Sequence, residues 1–155
     1  MTPAINAAKK AKITYIVHEY AHDPSCESYG TEAAKKLGVP EERVFKTLIV
    51  RHGTKKLAVG VVPVSSVLNM KLFAKVVGAK KASMAEVSDV ERATGYVLGG
   101  VSPLGQRKEL ETIIDSSANK YSTIFVSAGR RGLEIELKPQ DLEKLTHGKF
   151  AEICK

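Results

Sequence analysis

The chain has 155 residues, 43% of them hydrophobic and 26% charged, with a formal net charge of +7. One domain of this size buries roughly 70% of its unfolded surface, while no apolar run reaches the roughly 20 residues of a membrane helix, and the opening residues, lacking an apolar core after a basic cap, are not expected to act as a secretory segment. Cys26 and Cys154 lie far apart and form no CxxC, which points to reduced thiols in a cytoplasmic protein. The charge is uneven: residues 1–81 carry 14 basic and 6 acidic side chains, residues 82–155 carry 10 and 11. A one-sided positive field suits a polyanion such as RNA, although the basic pairs also fit plain solvated faces.

Thr2-Pro3 predicts a capped helix running to about Lys12. "ITYIVHEY" predicts a strand and "AHDPSCESYG" a loop. Thr31 is expected to cap a short helix stopped by Gly38, and Pro40 to begin a further helical turn. "VFKTLIV" and "LAVGVVPV" predict a hairpin around "RHGTKK", with Pro63 marking an edge or exit. Asn69 caps a helix that ends at Gly78. Ser88 with Glu91 reads as a capping box for a helix that ends at Gly95. "YVLGGVSPLGQ" is expected to begin as a strand and break into a loop. "ETIIDS", "STIFVS" and "LEIEL" predict strands, the last two joined by "AGRRG". Pro139 opens a helix, and the tail is expected to hold one more. The pattern predicts a single α+β domain over residues 1–155, with a curled mixed or antiparallel, barrel-like sheet surrounded by short helices.

Few stretches carry recognisable chemistry. "GGVSPLG" fits neither GxGxxG nor GxSxG, so Ser102 is not read as a nucleophile. The loop serves either as a turn or as a set of anion-facing backbone donors. "HEYAH" matches the zinc-protease pattern by letter, yet it falls on a predicted strand and loop, where that motif demands a helix. His52 and His147 read as solvated, and Cys26 has no base beside it. Glu134 and Glu136 share a strand face, and spacing favours the solvent side over a pair of acids. Lys46 stands out, because it interrupts an apolar run. Its stem can cover apolar surface while the ammonium reaches water. Alternatively, it is a cation at a pocket rim, set to hold phosphate or polarise an oxygen.

"VFKTLIV", "GAKKASMAEV", "ERATGYVLGGVSPLGQRKELETIID" and "STIFVSAGRRGLEIEL" resemble, in order and spacing, the YbaK/EbsC family of aminoacyl-tRNA editing domains. The likeness runs nearly end to end and is greatest to the free-standing branch of Cys-tRNA(Pro) deacylases. It implies release of cysteine wrongly attached to tRNA(Pro), with the tRNA acceptor end and prolyl-tRNA synthetase as partners, and with no cofactor or metal. The resemblance places the family's pocket lysine at Lys46, its threonine at Thr47, its glycine pair at Gly99 and Gly100, and its pocket serine at Ser127. Tyr20 and Tyr29 fall at pocket-lining ring positions. Glu134 stands where the family often has Asp. The resemblance further implies that the substrate's own thiol attacks its ester, with Lys46 holding a phosphate or ribose oxygen and a loop N–H steadying the oxyanion. Ala-tRNA(Pro) deacylation and a non-catalytic tRNA or nucleotide-binding module are the alternatives.

Overall fold

The computed structural model describes residues 1–26 and 28–154; Glu27 of the predicted loop and Lys155 of the tail lie outside them. The first helix, α1 (Pro3–Ala11), starts where the Thr2 hydroxyl accepts the Ile5 N–H, and it buries Ala4 and Ala8. Strand β1 (Tyr15–Glu19) follows. Helix α2 (Tyr29–Leu37) begins before the expected Thr31 cap: Ser28 holds the N-cap position, and its hydroxyl donates to the Thr31 hydroxyl. A 3-10 turn (Glu41–Arg43) leads into β2 (Phe45–His52), which returns as β3 (Lys56–Pro63). In α3 (Met70–Val77) the Asn69 side chain accepts the Leu72 N–H, and Gly78 closes the helix in the left-handed region.

The remaining elements depart more from expectation. Strand β4 (Ala82–Met84) was not signalled by pattern, because its pairing with β2 is non-local. Helix α4 (Val87–Thr94) takes Glu86 as N-cap, so the predicted Ser88–Glu91 box does not form and Ser88 lies inside the helix. Residues 96–106 form no strand, contrary to the expected start at Tyr96. Then come β5 (Glu111–Asp115), a 3-10 turn (Ser116–Lys120), β6 (Ile124–Arg130), β7 (Leu133–Leu137) and α5 (Pro139–Thr146). The tail forms a short strand, β8 (Lys149–Ala151), instead of the expected helix.

The strands make two open sheets, so the α+β class holds while the barrel-like closure does not. One sheet is antiparallel, in the order β1-β7-β6. The other is mixed, in the order β4-β2-β3-β5-β8, with β3–β5 and β5–β8 parallel. The sheets touch through a bridge between Val44 and Phe125, just before β2. Phe45, Ile49, Val59, Val61 and Ile114 of the mixed sheet share one core with Ile124, Val126, Ile135 and Leu137 of the other. On the far face of the mixed sheet, Phe73 of α3 packs on Val50, Val62 and Ile113. Ala33 and Ala34 of α2 cover Val44 and Phe125 at the bridge. Each such large side chain, fully buried, contributes about 1.5–3 kcal/mol from desolvation. No helix among the described residues is long and apolar enough to cross a membrane.

Candidate active site

A cleft of about 270 Å³ opens where the two sheets meet. The first half of β2 supplies Lys46 and Thr47, and the residue after β1 supplies Tyr20. Tyr29, the first residue of α2, forms another wall. Ser127 and Glu134 face each other across β6 and β7, and Gly99 comes from the loop after α4. Seven of the eight residues singled out from the sequence thus line one cavity. Gly100 is the eighth, and it does not.

The glycine pair divides its work. Gly99 has φ +91, and a side chain there would run into Arg131 Nε at 2.5 Å and Tyr29 Cε2 at 2.7 Å. Gly100 donates its N–H to the Val97 carbonyl at 2.9 Å, closing the turn. A Cβ on it would lie 2.8 Å from Arg130 Cα. Gly100 therefore serves backbone packing, and its N–H is occupied. The N–H of Gly99 has no acceptor among the described residues.

Lys46 is half-buried and makes no ion pair among the described residues. The buried Thr47 hydroxyl oxygen likewise has no hydrogen-bond partner among them. The Ser127 hydroxyl accepts the Gly129 N–H at 3.1 Å, where a bulge interrupts the β6–β7 ladder. Glu134 overturns the solvent-face expectation. It is only 7% exposed, and burial pushes its carboxyl up to about 8. At neutral pH it is largely protonated and can donate a hydrogen bond. Burial, and then the Glu134 charge, push the Tyr20 phenol up to about 12.

Glu136 is also covered. It meets His18 Nε2 at 2.9 Å and the Thr123 hydroxyl at 2.5 Å, with Arg43 at 3.6 Å. Burial pushes its carboxyl up, but the Thr123 and His18 hydrogen bonds outweigh that and hold it below the usual range. The two histidines of "HEYAH" serve different carboxylates: His18 bonds Glu136, and His22 bonds Glu32 at 2.7 Å. Among the described residues no three His, Cys, Asp or Glu side chains gather as a metal site. Glu32 is buried and also accepts the Asp23 N–H, which fastens the loop after Tyr20 to the start of α2. Burial raises its carboxyl, and the Asp23 and His22 hydrogen bonds bring it below the ordinary value.

His52 is buried at the end of β2, not solvated as expected, while His147 is exposed near Glu109. The Cys26 thiol donates to the Ser28 carbonyl, and burial followed by Asp115 pushes the Cys154 thiol up to about 12. Ser102 is fully buried and accepts the Leu104 N–H. Two charged cleft residues were not among the predicted site residues, Arg130 and Arg131. Their signal was the "GRRG" tip beside Ser127, legible only as a hairpin. With Lys46 they give the cleft three cations around a neutral acid. Such a site can hold an anion and orient an ester. Among the described residues of the cleft there is no hydroxyl or thiol backed by a histidine or an ionised carboxylate.

Comparison with known proteins identifies the family. Residues 23–145 match the family model of the aminoacyl-tRNA editing domain. The chain is 39% identical over 152 residues to an Enterococcus faecalis protein named "Putative Cys-tRNA(Pro)/Cys-tRNA(Cys) deacylase EbsC", covering 98% of this chain and 92% of that one. It is 30% identical over 125 residues to the Bacillus subtilis "Uncharacterized protein YwhH", covering 80% and 79%. The fold superposes with a TM-score of 0.87 on the crystal structure of "a putative trans-editing enzyme for prolyl tRNA synthetase", at 21% identity over 99% of this chain and 95% of that one. The chain belongs to the family of aminoacyl-tRNA editing domains.

Proposed function

We propose that this protein is a trans-acting deacylase that removes cysteine from mischarged Cys-tRNA(Pro), in the cytoplasm and beside prolyl-tRNA synthetase. The observation that carries the reading is the near full-length relation to a protein named for Cys-tRNA deacylation. The cleft supports it, since its described residues offer cations and a protonated carboxyl but no activated nucleophile.

The chemistry then falls to the substrate. Lys46 holds a phosphate or ribose oxygen of the terminal adenosine and so fixes the ester in the cleft. The cysteinyl sulfur attacks its own carbonyl carbon. A C–S bond forms, the ester C–O bond breaks, and the electron pair goes to the ribose oxygen. The thiol proton ends on that oxygen, and the neutral Glu134 carboxyl can relay it by giving one proton and taking another. The Gly99 N–H is the loop donor available to the transient oxyanion. Cysteine leaves as a strained cyclic thioester, which water then opens to the free amino acid. Thr47, Ser127, Tyr20 and Tyr29 shape the space around the reacting side chain.

The test is a panel of tRNA(Pro) charged with cysteine, alanine, serine or proline. Cysteine should be released at least 100-fold faster than serine, which lacks the thiol. Equal release of alanine would place the activity on another substrate, and binding without release of any ester would leave only a binding module.

A further inference from the structure

A second cleft, of about 370 Å³, opens at the far end of β2. Arg51, Lys55, Arg92 and Lys108 line it, together with one carboxylate, Asp89. Asp89 pairs with Arg92 at 3.3 Å, and the other three cations have no ion-pair partner among the described residues. Helix α4 connects this cleft to the candidate active site. Its eight residues span about 12 Å. They start next to β2, where the Ala85 N–H reaches the Ile49 carbonyl, and end at Gly95, four residues before the Gly99 turn. Arg107 covers Gly95, its guanidinium 3.6 Å from where a Cβ would stand. Arg131 stands over Gly99 in the same way. Exposed cations therefore form a track marked at three places: Arg131 at Gly99, Arg107 at Gly95, and Arg92, Lys108, Arg51 and Lys55 around the second cleft.

We propose that this track binds the sugar–phosphate backbone of the RNA whose 3′ end enters the active-site cleft. The inference rests on the deacylase reading for the position of that end. From Lys46 to Arg51 the strand advances about 17 Å. A stacked nucleic-acid strand places a phosphate roughly every 3.4 Å along its axis, so the track reaches about five phosphates from the terminus. That is where a four-nucleotide single-stranded end gives way to the paired acceptor stem. The second cleft contains no aromatic residue. Bases find no aromatic ring there to stack on, and a protein partner finds no aromatic anchor, whereas phosphates need only cations. Contact of this kind is indifferent to base sequence.

The experiment compares wild type, the pair Arg92→Ala with Lys108→Ala, and Lys9→Ala with Lys10→Ala as a control on α1. Binding of an uncharged acceptor-stem hairpin RNA with a 3′ single-stranded end is read by fluorescence anisotropy across a salt series. Deacylation is read on Cys-tRNA(Pro) and on the cysteine ester of adenosine alone. The Arg92/Lys108 pair should bind the hairpin at least tenfold more weakly, with the slope of log K against log salt shallower by about two. Its kcat/KM should fall on Cys-tRNA(Pro) and hold on the adenosine ester, and the control should match wild type. Unchanged hairpin binding would overturn the track, as would equal losses on both esters. If wild type cleaves neither ester, the deacylase reading fails, and the hairpin titration still decides the track.

Discussion

The Arg131 guanidinium lies 4.1 Å from the centroid of the Tyr29 ring and donates a hydrogen bond to the Leu98 carbonyl. One side chain thus joins the start of α2 to the turn that presents Gly99. The pair forms part of the cleft wall, with the aromatic face supporting the cation by about 0.5–1 kcal/mol. Tyr29→Phe keeps the face and should leave kcat/KM within about twofold of wild type. Tyr29→Ala releases the guanidinium and should raise KM for Cys-tRNA(Pro) about tenfold, checked by steady-state kinetics.

Lys46→Ala should separate activity from folding. The side chain has no ion-pair partner among the described residues and is half-buried, so the melting free energy should change by about 1 kcal/mol or less. On the proposed role of Lys46 in holding the ester, deacylation should fall about 100- to 1000-fold. Lys46→Arg keeps the charge but replaces a compact ammonium with a wider fork, so it should restore only part of the rate. Denaturant melts and single-turnover kinetics on the same preparations provide the check.

Glu134 gives a pH signature. Burial raises its folded carboxyl from the ordinary 4.5 to about 8. Between those values the unfolded chain has released a proton that the folded protein keeps. Stability from this residue is therefore complete below about pH 4.5 and declines as pH rises toward 8, by up to about 1.4 kcal/mol per pH unit. Glu134→Gln stays neutral and should flatten that decline. Urea melts from pH 5 to pH 9, wild type against variant, measure it. An identical slope in the two proteins would show that Glu134 is ionised in the fold.

Thr47→Val probes a hydroxyl whose oxygen is buried without a partner among the described residues. An unsatisfied buried group costs about 1–3 kcal/mol. Valine of similar shape should therefore leave the protein equally stable or more so. Activity should move the other way, falling about tenfold where the hydroxyl bonds the bound ester. Opposite signs in melting temperature and kcat would mark Thr47 as a substrate contact.

Gly100→Ala should act through packing. The added carbon meets the Arg130 backbone at 2.8 Å, and overpacking of this kind costs about 1–3 kcal/mol. Both Arg130 and Arg131 would shift with it, so melting temperature and KM should change together. A variant of normal stability and normal KM would show that the β6–β7 tip yields freely.

Legibility from sequence followed locality. Thr2, Asn69, Gly38, Gly78, Gly95 and Pro139 marked helix ends correctly, because caps and stops act within one turn of chain. The strands β2, β3, β5, β6 and β7 were legible from β-branched runs. Strands β4 and β8 were not, since three residues carry little pattern and depend on partners distant in sequence. The alternation of Glu134 and Glu136 was read correctly as one face, but the environment of that face was not. Strand β7 is the middle strand of its sheet, and tertiary packing covers the acids with His18, Arg43 and the cleft. The site itself was placed by resemblance. Neither spacing nor composition put Lys46 beside Ser127, and neither indicated that the two arginines of the hairpin tip belong to the same cavity.

Lys46 and Thr47 ride on one sheet, Ser127 and Glu134 on the other, and backbone joins the two at Val44 and Phe125. A molecule lodged in the cleft would span that seam and act as a removable staple, linking halves that otherwise adhere through side chains. Occupancy should then slow amide exchange on both banks of the seam at once, giving ligand binding a mechanical reading that needs no catalysis.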